Sequence, residues 1–145
     1  MAGQSDEFDL QRFVNAQDGD ITAVLDELRA GQKLGHWIWY IFPQMRGLGH
    51  SSMAHRYGIG SREEARAYAE HPVLGPRLTE CTEAVLSVDG RSLDIIFGSL
   101  DAMKFRSSMT LFSLCAADPA VFRQALEKYC DGELDPLTIR LLGEK

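Results

Sequence analysis

Apolar residues recur at helical spacing along most of the chain. Phe8, Leu10, Phe13 and Val14 predict a first helix reaching about Ala16, followed by a turn at residues 17–19. Asp20 is placed to cap a second helix with Ile21, Val24, Leu25 and Leu28 on one face, and Gly31 to stop it in a left-handed conformation. Ser61 and Glu64 form a capping box opening a helix through Glu70. Pro72 starts the next, in which Leu74, Leu78, Cys81 and Val85 mark the buried face. Ser92 caps a short helix ending at Phe97, and Ser99 caps its successor, with Leu100, Met103, Leu111 and Leu114 available for the core. Asp118-Pro119 and Asp135-Pro136 each pair a cap with a first-turn proline, opening helices that run to about Gly132 and Leu142.

Two stretches do not fit this rhythm. Residues 36–42 are apolar almost throughout and strand-favouring by propensity. No second convincing strand exists to pair with them, and an unpaired strand would leave its backbone groups unsatisfied. The segment is therefore expected to be a short buried helix ending at Pro43. Residues 45–60, with four glycines, read as a long loop of the kind seen in functional segments. The fold class that follows is all-α: a compact single domain of seven to nine helices over residues 1–145, not a simple four-helix bundle. Residues 1–6 are expected to be flexible.

Composition narrows the function classes. A chain of 145 residues with 45% hydrophobic and 25% charged residues has the make-up of a packed globule rather than a disordered segment. A net charge of -6 argues against nucleic acid as a partner, since phosphate binding needs clustered Lys and Arg. No apolar run approaches a membrane span, and the acidic start of the chain does not resemble a signal peptide, so a cytoplasmic protein is expected. Three widely spaced cysteines offer no zinc spacing; Cys81 and Cys115 read as small core residues. Neither a metal nor a cofactor is expected.

Candidate chemistry concentrates in two places. In residues 36–52, His36 and Gln44 supply polar groups around Trp39, whose ring can stack on a planar ligand. Arg46 can hold an anion, Ser51 can bond it, and His50 can act as acid or base near neutral pH. In residues 101–110, Asp101, Lys104 and Ser108 share one helix face at i, i+3 and i+7. Taken together, the two segments suggest a site for a small anionic, nucleotide-like molecule. In a hydrolytic version Asp101 or His50 activates water, while His36, Trp39, Gln44, Arg46, Ser51, Lys104 and Ser108 bind. The rival expectation is an interaction module in which Trp37, Trp39 and Phe42 present an anchor to a protein partner.

These same residues carry a resemblance. The phrase His-Trp-Ile-Trp-Tyr-Ile-Phe-Pro-Gln at 36–44, then Gly47, Leu48 and Gly49, Tyr57-Gly58-Ile59, residues 71–75, Ile96-Phe97-Gly98 and Lys104-Phe105 with residues 107–112 are similar to those of a widespread bacterial family of unknown function. Its members are often labelled "calpastatin" and include a small mycobacterial hypothetical protein. The likeness covers nearly the whole chain and implies an all-helical single domain, with no established activity. The label itself conflicts with physics, because a calpain inhibitor of that type is an extended, apolar-poor chain. A fainter similarity, to a helical family associated with NAD and ADP-ribose derivatives, transfers no residue but favours nucleotide-like ligands.

Overall fold

The computed structural model describes residues 6–143, and the expected flexible tail falls, apart from Asp6, outside them. Asp6 itself is held: its carboxylate accepts the amides of Leu10 at 2.7 Å and Gln11 at 2.8 Å. Ten helices are present among the described residues: α1 (Gln11–Asp18), α2 (Ile21–Arg29), α3 (Ile38–Ile41), α4 (Ser52–Arg56), α5 (Arg62–Glu70), α6 (Leu74–Leu86), α7 (Leu93–Phe97), α8 (Ser99–Cys115), α9 (Ala120–Cys130) and α10 (Pro136–Leu141). The one that spacing did not reveal is α4, inside the stretch expected to be loop. None is long and apolar enough to cross a membrane.

Helix α8 is the axis of the molecule, with α3, α5, α7, α9 and α10 packed around it. From Ser107 to Ser113 every residue is buried, so this helix has no solvent face there. Apart from Ser108, its hydroxyls are satisfied within the helix or by the residue capping α10: Thr110 donates to the Arg106 carbonyl at 2.9 Å, and Ser107 to the Asp135 carboxylate at 3.1 Å. Leu100 and Met103, expected in the core, are 73% and 67% exposed. They precede the buried stretch, on the face opposite buried Ala102 and Phe105.

Two aromatic groups fill the interior. Trp37, Phe42, Phe97 and Phe105 pack with ring centroids 4.9–6.4 Å apart, and Phe13 meets Tyr68 edge-on at 5.0 Å. Gln17, 1% exposed, ties α1 to α3 and α5 by donating to the Tyr40 carbonyl at 2.7 Å and the Tyr68 hydroxyl at 2.9 Å. Cys81 is buried as expected; desolvation pushes its thiol up to about 12, leaving no reactive thiolate at neutral pH.

The turn after α2 depends on one carboxylate. Gly31 adopts φ +75°, the left-handed stop expected of it. Glu27 then accepts the amides of Leu34 (2.7 Å) and Gly35 (3.0 Å) and the Trp37 indole N–H (2.9 Å). Burial alone would raise its pKa; the Gly35 and Leu34 amides, the indole and Lys33 outweigh that and lower it below 4.5. A depressed folded value means the stabilisation is present above 4.5 and lost as pH falls through the folded value. Glu27→Gln is therefore expected to melt below wild type at roughly pH 6, with the gap closing towards roughly pH 3. Parallel melting curves across that range would show that the charge is not used.

Candidate functional site

Residues 36–44 enter the core because most of their side chains must be buried. Trp37, Ile38, Ile41 and Phe42 are 3% exposed or less, so the chain makes only the short α3 before Pro43. Tyr40 donates its hydroxyl to Asp20; burial and then this carboxylate raise the phenol pKa well above its usual range. Asp20 therefore serves Tyr40 rather than capping α2. Trp39 is the exception among the apolar residues, half-buried and facing outward. The chain then pairs with itself: Arg46 donates its amide to the Ile59 carbonyl at 2.8 Å, and Ile59 to the Gln44 carbonyl at 2.9 Å.

A shallow recess opens beside this pairing, lined by Trp39, Phe42, Gln44, Ala54, Tyr57, Gly58 and Lys104. The two segments singled out in the sequence therefore meet in space. The Lys104 ammonium stands 6.0 Å above the centre of the Trp39 ring. It also lies 3.3 Å from Asp101 Oδ1, whose other oxygen is 2.7 Å from Lys33. Lys33, with only 6% of its side chain exposed, rests 5.0 Å over the Trp37 ring. The recess holds about 10 Å3, room for roughly one water. Gly58 forms its back wall. A Cβ there would lie 2.7 Å from the Arg46 Cβ and 2.8 Å from the Ala54 carbonyl, so only glycine fits.

Two polar groups here lack partners. Gln44 is 8% exposed, and its side-chain amide makes no hydrogen bond among the described residues, although it borders the recess. Ser108, one helical turn beyond Lys104, is fully buried, and its hydroxyl has no partner among the described residues. Such an orphan costs about 1–3 kcal/mol. Ser108→Ala is thus expected to leave the protein as stable as wild type or about 1 kcal/mol more so. A clear loss in urea midpoint would show that the hydroxyl is hydrogen-bonded in solution.

The other candidates sit elsewhere or have structural work. Ser51 caps α4, accepting the Ala54 amide at 3.0 Å. His50 and His36 are exposed; His50 follows Gly49, which lies against Ala54 and the Gln44 amide at the rim of the recess. Arg46 turns the other way, donating to the carbonyls of His55 and Gly58 at 3.1 Å each, and lines a separate recess. Lys33 was missed, since no spacing links residue 33 to residue 101. Tyr57 and Gly58 were quoted only for the family likeness. The aromatic anchor does not hold, because Trp37 and Phe42 are core residues.

Comparison with known proteins agrees with this architecture. The model of a family described as "Protein of unknown function (DUF1810)" matches residues 7–142, and the chain belongs to that family. No match was found among curated proteins. Among solved structures, the chain is similar to the conserved hypothetical protein Rv1873 from Mycobacterium tuberculosis. The two share 52% identity with a TM-score of 0.94, over 97% of this chain and 100% of the other. This places the fold firmly in a mycobacterial relative.

Proposed function

We propose that the protein binds a small anionic ligand carrying a planar, nucleotide-like or ADP-ribose-like group in the recess between Trp39 and Lys104. The observation that carries this reading is Gln44: a nearly buried side chain whose amide reaches the edge of a recess with no protein hydrogen bond among the described residues is a group held ready for a ligand's polar edge. Lys104 is the movable wall. Its pair with Asp101 is partly exposed and contributes less than about 1 kcal/mol, so the flexible arm swings aside at low cost. Asp101 keeps Lys33 when Lys104 leaves. The freed ammonium meets the ligand's negative charge, and the Trp39 face becomes open for stacking.

A thermal-shift series with nucleotides, sugar phosphates and ADP-ribose tests it. Binding at a hundred times the dissociation constant adds about 2.7 kcal/mol to stability, a rise of several degrees. The shift is expected to vanish in Trp39→Ala and Lys104→Ala and to persist in Arg46→Ala. A flat series over a cooperative melt, or a shift indifferent to Trp39 and Lys104, sinks the reading. The hydrolytic form adds His50, which follows Gly49 in the chain, and Asp101 as candidate groups for activating water at a glycosidic or ester bond. It requires His50→Ala to bind normally and lose turnover.

A further inference from the structure

The recess that contains Arg46 is larger, about 590 Å3, within the range of small-molecule sites. Its lining is unusually charged: Arg12, Arg46 and Arg56 face Glu7, Asp9 and Glu64, with Phe8 the single apolar wall. Two of these charges neutralise each other. Arg12 pairs with Glu64 at 2.8 Å, both side chains nearly buried, and forms the floor. The other four do not. Arg46 is steered by two carbonyls through Nε and Nη2, which leaves Nη1 unbonded. Arg56 lies with its guanidinium carbon 5.5 Å from the Tyr57 ring centre, and no hydrogen bond or carboxylate engages it among the described residues. Glu7 and Asp9 are exposed and pair with no cation among the described residues.

Two unpaired guanidiniums and two unpaired carboxylates therefore border one cavity without meeting across it. A purely anionic guest would be repelled by Glu7 and Asp9, and a purely cationic one by the arginines. We propose that this recess binds a zwitterionic small molecule of the amino-acid type, its carboxylate on Arg46 and Arg56 and its ammonium on Glu7 and Asp9. Guanidinium suits the carboxylate end, since its planar fork presents two parallel donors. The carboxylates' position is also held. Arg12 donates to the carbonyls of both Phe8 and Asp9, and Asp9 adopts φ 53°, a left-handed conformation that aspartate and asparagine tolerate. This site stands apart from the Trp39 recess, and neither proposal depends on the other.

The test is an NMR titration of the full chain with free amino acids and dipeptides, each beside its N-acetylated and its carboxamide analogue. Saturable amide shifts are expected at residues 7–12, 46 and 56, and not at Trp39. Either analogue should bind at least about tenfold more weakly than the zwitterion, one lost charge contact being about 1.4 kcal/mol. Arg56, whose side chain makes no hydrogen bond among the described residues, can be changed to glutamine: Arg56→Gln should weaken binding equally, and Asp9→Asn should weaken the zwitterion while sparing its N-acetylated form. N-acetyl analogues or inorganic phosphate binding as tightly as the zwitterion would overturn the proposal by making this a plain anion site. Absence of any titration in the folded protein would overturn it as well.

Discussion

Arg12→Ala is expected to destabilise the fold by about 3–5 kcal/mol, the range for removing one partner of a buried ion pair. The side chains of Arg12 and Glu64 are 11% and 7% exposed, so solvent offers the stranded carboxylate little relief. The guanidinium also gathers the carbonyls of Arg56 at 2.9 Å and Gly58 at 3.1 Å, joining α1 to a stretch forty-odd residues away. The expected fall in melting temperature is roughly 10–20 °C. Adding Glu64→Leu should recover part of it, because the unpaired charge is what makes the single change severe. A single variant melting within about 2 °C of wild type would mean the pair is hydrated in solution.

Phe42→Ala is expected to have a loss of similar size, about 3–5 kcal/mol, for a different reason. Phe42 is 1% exposed, with Phe105 at 4.9 Å, Phe97 at 6.0 Å and Trp37 at 6.3 Å between ring centroids. Alanine leaves a hole that these large rings cannot close. The urea midpoint should drop while the slope of unfolding stays the same, since the surface exposed on unfolding barely changes. Trp39→Ala, three residues earlier but half-buried, should have well under half that effect. Equal losses at the two positions would contradict the division of this segment into core and recess.

That division also marks how far the sequence could be read. The helices around Leu74, Leu78, Cys81 and Val85, and the caps at Ser61, Ser92 and Asp135, were legible because local spacing and cap chemistry determine them. The short buried α3 followed from a backbone argument: a strand there had no partner. Leu100 and Met103 misled because helical periodicity marks a face without saying whether a neighbour covers it. At Ser51, capping and ligand binding ask for the same hydroxyl, and only the position of α4 separates them. The candidate residues were visible as residue types, but the meeting of Trp39 with Lys104 was not legible and comes from the structure alone. The opposite heading of Arg46 was not legible because it depends on how the 45–60 segment folds back on itself, and Lys33 because its partner Asp101 lies far along the chain.

The pairing of Gln44 and Arg46 with Ile59 has a consequence for how this protein can vary. Two backbone hydrogen bonds close the segment between them at its base, and α4 with its Ser51 cap gives the segment an internal scaffold. Within the tip, Leu48 packs on the core and Gly49 lies too close to Ala54 for any side chain, whereas exposed His50 is insulated and can change without shifting the register of the base. Relatives that differ at position 50 while keeping the base would present a new surface group without rebuilding the segment. In that sense His50 is an exchangeable tip on a fixed frame.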